Sequence, residues 1–500
     1  MRLSDATGVY IGSTPVSKLY VGMQEVWSSG GYTNASYTIE GTNNEPTLTS
    51  MTAQLKDSGG SDVGSPVPVT INGSDWSVTI TDIPPGVGYT VEVSDNAGNT
   101  SISPDFVVGF VVVGNGQSEQ HIQHGASTSE GLTWAGNSDI FRVAYDGSVS
   151  VDDITAGGYD TLVSKANQII ADAPELIDLP FVMVRMSFPG SGIDQWLTVE
   201  NGGTDVYWST DAVSILNIMQ GVTIFDLLFG TTDAGMSEAN WLAKTELFYQ
   251  QVETELGLST GSIPAVITPL ARKIPMLTTM REIQISQGDS GGRYHPGAVV
   301  NDIELDFSPY PTDNTTPHQL GDSAIGGNRL AKYVGRAIAS ALGYSVPSVR
   351  GPIISGAAFT DGTQSVIQIA VTNNGSSVDV EAPDASTTGI LGFEINVDSG
   401  GWTEAGFTAS ISGGVCYLTK DTGNWSGSTV QVRYMNDSLM NSGGTFGTVS
   451  DSPFGQTEAE AAEAINMAAF DKTLHDTSTF DGGRGMAVYR EVTGITVEAA

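Results

Sequence analysis

The sequence predicts a multidomain protein in which a three-layer α/β domain lies between two all-β sandwich domains. The chain has 500 residues, which is too many for one ordinary hydrophobic core. Between residues 106 and 342, helix-like stretches alternate with short apolar runs. Shorter segments of alternating apolar and polar residues, separated by turn residues, precede and follow that region. We therefore expect a parallel sheet in the middle of the chain and antiparallel sheets on either side.

Composition limits the classes of partner. Lys and Arg total 20 against 56 Asp and Glu, so the formal net charge is −36. A surface this acidic repels the phosphate backbone of nucleic acids, so we expect no nucleic-acid partner. The single cysteine, Cys416, cannot form an internal disulfide, and neither zinc nor calcium spacing is found, so we expect no metal and no cofactor. Without a signal-like or membrane-spanning run, we expect synthesis in a cytoplasm and no membrane insertion.

The N-terminal residues 1–30 are predicted to form a small hairpin-like unit. Residues 9–27 read VYIGSTPVSKLYVGMQEVW and contain two short β-type runs, each punctuated by glycine. The segment resembles one found at the start of many tailed-phage particle proteins. The resemblance implies a virion-attachment hairpin that binds other phage particle proteins. The alternative is an ordinary hairpin packed on the next domain.

Residues 31–104 are predicted to form an immunoglobulin-like β-sandwich. Segments 76–80 and 89–93 alternate apolar and polar residues between turn clusters. The ending at 93–99, Val-Ser-Asp-Asn-Ala-Gly-Asn, resembles the last hairpin of bacterial immunoglobulin-like repeats. We expect this module to act as a spacer or as a unit that faces carbohydrate.

Residues 105–350 carry the pattern of a parallel α/β sheet. A continuous apolar run at 106–113 comes first. Helix-like stretches then cover about 159–173, 209–220, 236–257 and 319–342, and buried-strand runs lie near 181–187, 223–229, 264–270 and 298–306. In such sheets a ligand site forms beyond the carboxyl ends of the strands.

The β pattern returns in residues 351–455, which are predicted to form a second sandwich. Its clearest strands lie at 365–371 and 430–434. Residues 456–500 are predicted to be a C-terminal tail with a helix near 457–464 and a strand-like segment from 486.

Four short motifs in the α/β region lie where strands should end. Ser118 follows the run 111–113, so its hydroxyl should stand at the sheet edge. The loop after 181–186 contains Gly190, whose amide can serve an oxyanion hole because glycine allows close approach of the backbone. A side chain in 229–234 can donate a second hydrogen bond. His318 precedes an amphipathic helix and reaches Ser118 if the sheet brings the two loops together.

In this order the motifs resemble the SGNH hydrolases, in particular the sialate O-acetylesterase-like branch. The branch signatures are Gly-Gln-Ser-Asn, Gly-Gly-Ser-x-Ile-x-x-Trp, Gly-Glu-Ser-Asp-Ala and Asp-x-x-His. Positions that match the first three are Gly116, Gln117 and Ser118, then Gly190, Ser191, Ile193 and Trp196, then Gly230, Asp233 and Ala234. The second sandwich also resembles the accessory β domain of that branch, so the resemblance covers about 106–453.

The resemblance implies a flavodoxin-like SGNH hydrolase domain with a serine esterase site. Ser118 is implied as the nucleophile and His318 as the general base. The backbone amides of Ser118 and Gly190, together with the Thr232 hydroxyl, are implied as the oxyanion hole. No metal is required for this chemistry.

Three positions depart from the family pattern. Glu119 replaces the usual Asn, Thr231 replaces Glu, and Thr315 stands where an aspartate precedes the histidine by three residues. The third departure leaves the acid of the triad open.

Asp313 is the nearest carboxylate upstream of His318, but it lies two residues too far upstream for a simple match. Either the loop bulges so that Asp313 orients His318, or the site works as a weakened Ser–His pair. We favour Asp313, because Asp302 and Asp306 more naturally belong to the preceding strand.

Other polar residues have plainer interpretations. Residues 288–292, Gly-Asp-Ser-Gly-Gly, spell the pentapeptide around the nucleophile of trypsin-like proteases, but they follow helix-and-strand alternation, so we interpret them as a Gly-rich loop. His295 is expected on a solvated loop, with contact to the pocket as the alternative. His121 and His124 are expected at the surface, with the mouth of the site as the alternative.

These observations predict a phage spike or tail protein whose esterase domain removes O-acyl groups, with O-acetyl as the expected group, from host capsule or surface polysaccharide. Its expected location is the virion, and the sequence leaves open whether it forms a homo-oligomer. The main alternative is a catalytically decayed glycan-binding spike that keeps the hydrolase fold as a scaffold. A secreted bacterial carbohydrate esterase is disfavoured by the missing signal peptide.

Overall fold

The structure is a computed structural model of the whole chain. The residues that it describes are 9–11, 14–16, 20–23, 27–28, 31–32, 35–42, 49–103, 105–117, 120–121, 124–125, 131–219, 221–230, 232–270, 278–297, 324–346, 349, 353–360, 362–372, 380–381, 393–403, 405–412, 415–434, 475–476 and 492–499.

Strands fill the N-terminal part of the chain. They are β1 (Val9–Ile11), β2 (Thr14–Val16), β3 (Tyr20–Met23), β4 (Trp27–Ser28), β5 (Gly31–Tyr32), β6 (Ala35–Thr42), β7 (Met51–Lys56), β8 (Asp62–Pro68), β9 (Thr70–Asn72), β10 (Asp75–Ile83), β11 (Gly86–Asp95), β12 (Thr100–Ile102) and β13 (Phe106–Val108).

Two of the antiparallel sheets formed by these strands face each other across one apolar core. One sheet has the order β3-β6-β10-β9, and the other has the order β12-β11-β7-β8 with β13 also paired to β11. Within β10 the buried positions Trp76, Val78 and Ile80 alternate with more exposed ones, as expected for strands with one face on a core. The segment with alternating apolar and polar residues therefore folds as a two-sheet sandwich. That this sandwich is immunoglobulin-like stays a prediction.

The N-terminal segment divides between two partners. β1 pairs with β2 in a hairpin. β3, which holds the second β-type run, pairs instead with β6 of the sandwich. The backbone of Tyr20–Met23 therefore belongs to the first sandwich.

The central region alternates strands and helices. Its elements are β14 (Phe110–Gly116), β15 (Ile140–Tyr145), β16 (Val149–Asp153), α1 (Asp160–Asp172), β17 (Phe181–Ser187), α2 (Val213–Leu216), β18 (Ile224–Leu228), α3 (Glu238–Glu255), β19 (Ala265–Ile267), α4 (Thr278–Asp289), β20 (Tyr294–Pro296) and α5 (Ala324–Ala341).

One seven-stranded sheet organises this region, with the order β16-β15-β17-β14-β18-β19-β20. The pairs from β15 to β20 are parallel, and β16 runs antiparallel to β15 at the edge. Val113 shares one apolar core with Phe248 of α3, whereas Val112 shares the other with Leu162 of α1 and Val334 of α5. Since both faces are covered by helices, the strands read as continuous apolar runs.

The alternation predicted from the sequence is confirmed by α1, α3, α5, β17 and β18. The strand predicted near 298–306 lies outside the described residues. The β15–β16 hairpin was not predicted. The sequence feature that indicates this hairpin is the turn dipeptide Asp146-Gly147. In the turn, the Asp146 amide donates to the Ser148 carbonyl oxygen at 3.2 Å, and Gly147 has a φ of +85°.

The apolar run 106–113 is divided between two sheets. β13 pairs with β11 of the first sandwich, whereas β14 pairs with β17 and β18 in the central sheet. Gly109 separates them, and a Cβ there would lie 2.5 Å from the Pro180 carbonyl oxygen. Close approach to Pro180 therefore requires glycine at the division.

Strands form the C-terminal part. They are β21 (Ile353–Phe359), β22 (Val366–Thr372), β23 (Val380–Glu381), β24 (Phe393–Val397), β25 (Trp402–Thr403), β26 (Phe407–Ser412), β27 (Val415–Lys420), β28 (Val430–Tyr434), β29 (His475–Asp476) and β30 (Val492–Thr496).

A second sandwich encloses a third apolar core. Its sheets have the orders β21-β22-β27-β26 and β25-β24-β28-β30, and the core contains Ile367, Cys416, Ile395 and Val432. β30 pairs with β28, so the last strand of the chain completes this sandwich. The helix predicted near 457–464 lies outside the described residues.

Of the helices that the structure describes, none is both long and apolar enough to cross a membrane.

Candidate active site

The carboxyl ends of β14, β17 and β18 meet at one edge of the central sheet. In the strand register, Gly116 lies between Ser187 and Leu228. The chain passes from β14 to β15 and β17 on one side and then crosses to β18 on the other. Ligand sites of parallel sheets form where the order reverses in this way. Three of the four predicted motifs follow these strands.

Gln117 connects the first of these loops to the third. Its side chain is 2% exposed, and its Oε1 accepts a hydrogen bond of 3.3 Å from the Thr232 amide. The residue that immediately precedes Ser118 in the sequence is thus fixed against the turn after β18. Ser118 itself lies outside the described residues, as do Asp313 and His318.

Gly190 and Thr232, two of the predicted oxyanion-hole residues, are direct neighbours. The Thr232 hydroxyl donates to the Gly190 carbonyl oxygen at 3.3 Å. Gly190 has a φ of +73°, a conformation that favours glycine over residues with a Cβ. Donation to an oxyanion therefore requires that the Thr232 hydroxyl turn away from the Gly190 carbonyl.

Ser191 connects the second loop to the first. Its hydroxyl lies 2.8 Å from the Phe188 carbonyl oxygen and 3.4 Å from that of Gly116, and it accepts a hydrogen bond of 3.2 Å from Trp196 Nε1. Ser191 and Trp196 are each 1% exposed. Ser191 and Trp196, which both match the motif described above, are therefore buried residues that stabilise the conformation of the loop.

Asp233 joins the second and third loops by a separate contact. Its carboxylate accepts the Ile193 amide, with distances of 3.2 and 3.3 Å to the two oxygens. Burial raises the pKa of Asp233 to about 6, and the nearby Asp194 adds to the rise, while the Ile193 amide and Lys244 oppose it. Here burial outweighs the hydrogen bond that favours the charged form.

Two glycines of β14 allow the segment after Ser118 to lie against the strand. A Cβ on Gly116 would lie 2.2 Å from the Leu228 carbonyl oxygen and 2.5 Å from the Gln120 Cβ. A Cβ on Gly114 would lie 2.0 Å from Gln120 Nε2 and 2.5 Å from His124 Nε2. The spacing Gly-x-Gly is therefore a packing requirement of this strand.

A buried polar cluster lies beneath that segment. Lys165 of α1 pairs with Asp226 of β18 at 2.5 Å, and Gln120 Nε2 donates to the same carboxylate oxygen at 3.0 Å. All three side chains are fully buried. A buried charge requires a partner, so the Lys165–Asp226 pair binds α1 to the sheet directly below the site. The pair was not predicted from the sequence, although Asp226 interrupts an otherwise apolar strand.

The expectation that His124 lies at the surface is wrong. The residue is 1% exposed, and its burial, followed by the charge of Lys165, holds the pKa of the imidazole well below its usual range. The space above Gly114 accommodates the ring, which explains the burial. His121 is half-buried, and its pKa is also lowered, first by burial and then by the charge of Arg185.

The protease-like pentapeptide forms the end of a helix. α4 ends at Asp289, and the Ser290 hydroxyl donates to the Gln287 carbonyl oxygen of the last turn at 2.6 Å. Gly291 and Gly292 both have positive φ values, of 77° and 70°. His295 lies in β20 and is half-buried, contrary to the expected solvated loop.

Within the described ranges, no group of three or more His, Cys, Asp or Glu side chains converges in a way that could hold a metal ion.

Comparison with protein-family models gave no match, and comparison with curated proteins gave none. The structure is similar to the crystal structure of a carbohydrate acetylesterase from Xanthomonas citri, with a TM-score of 0.53 and 17% sequence identity, over 80% of this chain and 90% of that one. At this identity the likeness shows a shared fold. The multidomain, sheet-rich architecture of this chain is therefore one that a carbohydrate acetylesterase also has.

Two further matches have TM-scores too low to support an argument. One is a protein from Arabidopsis thaliana, with a TM-score of 0.32 and 12% identity over 47% of this chain and 98% of that one. The other is the apo form of β-glucuronidase 3 from Bacteroides uniformis, with a TM-score of 0.28 and 11% identity over 85% of this chain and 62% of that one.

Proposed function

We propose that the chain is a carbohydrate O-acyl esterase and, more narrowly, an SGNH hydrolase of the sialate O-acetylesterase-like branch that removes O-acetyl groups from a polysaccharide. The observation that carries the proposal is the meeting of three motifs at one sheet edge, where Gln117 contacts Thr232 and Thr232 contacts Gly190. The fold shared with a carbohydrate acetylesterase supports it.

In the proposed reaction, Ser118 Oγ attacks the ester carbonyl while His318 accepts its proton. The tetrahedral intermediate collapses, and the sugar hydroxyl leaves with the proton from His318. Water, deprotonated by the same histidine, then releases the acetyl group as acetate. Asp313 is proposed to orient His318, and the Ser118 and Gly190 amides with the Thr232 hydroxyl are proposed to stabilise the oxyanion.

We further propose that the esterase acts as a spike or tail protein of a phage particle on host capsule or surface glycan. The support for this setting is the sequence resemblance of residues 9–27, and residues 1–30 are the proposed attachment segment. The location in the virion rests on the same segment.

Replacement of the proposed nucleophile and general base tests the proposed esterase activity. Ser118→Ala and His318→Ala should each lower acetate release from glucose pentaacetate and p-nitrophenyl acetate by about 10³-fold or more, because the two act as a unit. The matched control is Ser290→Ala, which removes the serine of the protease-like pentapeptide and should leave both rates unchanged. Each variant should keep the thermal unfolding temperature of the wild type, which would show that the fold is kept.

Two outcomes would separate the alternatives. Full turnover by Ser118→Ala would exclude it as the nucleophile. A wild-type protein that binds acetylated glycan without any Ser118-dependent turnover would instead support the decayed glycan-binding spike.

A further inference from the structure

Phe188 exposes an aromatic ring next to the predicted oxyanion loop. It directly follows β17, in which every residue is buried, yet its side chain is 44% exposed. A single exposed apolar residue needs no explanation by itself. Two further observations indicate a binding role for this ring: other aromatic side chains support it, and it lies near the candidate active site.

The ring is held by a column of aromatic side chains. Phe188 stacks on Tyr207 with ring centroids 4.7 Å apart and planes 26° apart, and Tyr207 packs on Trp196 at 5.1 Å and 34°. Trp196 is fixed by its hydrogen bond to Ser191. Because the column ends on a buried anchor, the exposed face of Phe188 is pre-organised, and little side-chain entropy is lost when a ligand binds to it.

The column also contacts described residues that flank Ser118 in the sequence. The ring of His121, three residues after Ser118, is 6.4 Å from the Phe188 ring and meets it edge-on. His121 is itself fixed, because its amide donates to the Gln117 carbonyl oxygen at 2.8 Å and its Nδ1 lies 3.3 Å from the Ser187 carbonyl oxygen. A ligand on Phe188 would therefore lie close to His121, which follows the proposed nucleophile by three residues in the sequence.

Tyr207, the middle ring of this column, carries a hydroxyl that lies within electrostatic reach of the Asp211 carboxylate. Tyr207 is half-buried, and Asp211 donates its backbone amide to the Tyr207 carbonyl oxygen at 3.0 Å. The Asp211 carboxylate also lies within electrostatic reach of Arg185. An exposed ring face supported by a residue that carries a hydroxyl suits a ligand that has apolar and polar edges together.

We propose that Phe188 is the stacking platform for the pyranose ring that bears the acyl group. This inference rests on the proposed esterase function. A pyranose ring presents one face of C–H bonds, which packs on the aromatic face, while its hydroxyls point outward to polar groups. An acetyl group alone is too small to cover the exposed ring, and one ring face is too small for a protein partner. The platform thereby selects sugar esters over simple esters.

The test compares two acetyl esters, one with a pyranose ring and one without. Phe188→Ala should lower the ratio of kcat/KM for glucose pentaacetate to kcat/KM for ethyl acetate by about 10-fold, mainly through KM, because the ring of the first substrate loses its platform. Phe188→Trp should keep the wild-type ratio. The matched control is Val151→Ala, which truncates a side chain of similar exposure, 48%, on the edge strand β16. It should leave the ratio unchanged.

A binding measurement separates the platform from the esterase chemistry. In a Ser118→Ala background, calorimetric titration with glucose pentaacetate should give a Kd about 10-fold higher when Phe188 is also replaced by Ala. If neither the ratio nor the Kd changes, the platform is wrong. If the wild-type protein hydrolyses neither ester but the Kd still changes, the esterase proposal fails and the platform stands.

Discussion

Asp233 shows how one buried carboxylate links loop structure to pH. It accepts the Ile193 amide and thereby joins two of the loops at the site. Burial makes its charged form costly, so its pKa rises to about 6. The protonated form is therefore favoured in the folded protein at a pH where an unfolded aspartate is already ionised.

We predict that Asp233→Asn changes how stability depends on pH. The folded pKa of about 6 lies above the ordinary 3.8, so the stabilising contribution of this proton is complete below about pH 4 and is lost as pH rises through 6. Asparagine keeps an acceptor for the Ile193 amide but does not titrate. Relative to the variant, the wild type should lose up to about 3 kcal/mol between pH 4 and pH 7.5, since one pKa unit is about 1.4 kcal/mol.

Differential scanning calorimetry of both proteins at the two pH values checks this prediction. Parallel pH profiles for the wild type and Asp233→Asn would show that the carboxyl is not perturbed by burial.

β14 lies at the centre of the candidate site, and its two glycines allow other residues to contact one face of the strand closely. Gly114 and Gly116 leave room for Gln120 and His124, and Gln120 reaches the Lys165–Asp226 pair beneath. The described residues that flank Ser118 in the sequence, on β14 before it and at Gln120 after it, are therefore packed together. Movement of β14 would shift the residues that immediately precede the proposed nucleophile.

We predict that Gly116→Ala destabilises the central domain and abolishes esterase turnover. The new Cβ would lie 2.2 Å from the Leu228 carbonyl oxygen, so β14 would have to separate from β18. Overpacking of this kind costs about 1–3 kcal/mol or more. The matched control is Gly235→Ala, where a Cβ would meet nothing within 4 Å.

Thermal unfolding and acetate release measured on both glycine variants test this. Equal stability and activity of Gly116→Ala and the wild type would show that β14 and β18 are not as close as described.

At the scale of the whole molecule, segments that are distant in the sequence pair within one domain. β30 lies about 60 residues after β28 in the sequence, yet it pairs with that strand, and Val497, which directly follows β30, lies in the core of the second sandwich. The Glu498 amide donates to the Ala357 carbonyl oxygen at 2.9 Å, and the Glu498 carbonyl oxygen accepts from the Phe359 amide at 3.0 Å, which connects the two sheets.

We predict that removing residues 490–500 destabilises the second sandwich. The truncation exposes β28 as an unpaired edge and removes the buried Val497, worth about 1.5–3 kcal/mol, together with the partly buried Ile495, which contributes less. The calorimetric transition of that domain should shift down by at least about 5 °C, or disappear. A control chain lacking only Ala500 should unfold as the full chain does.

Limited proteolysis provides a second measurement, because the truncated chain should be cut first within 351–434. An unchanged transition and unchanged cleavage would mean that β30 is dispensable.

Local patterns in the sequence were enough to predict the alternation of helices and strands and the positions of Gly190 and Thr232 after strands. Apolar periodicity and glycine-containing turns are short-range features, so they can be read without knowing the partner of each segment. The division of 106–113 at Gly109, the burial of His124, the Lys165–Asp226 pair and the pairing of β30 with β28 depend on contacts between distant residues. Burial and pairing are properties of two or more segments together, and no single segment encodes its partner. The folded chain therefore decides which polar residues become neighbours at the sheet edge.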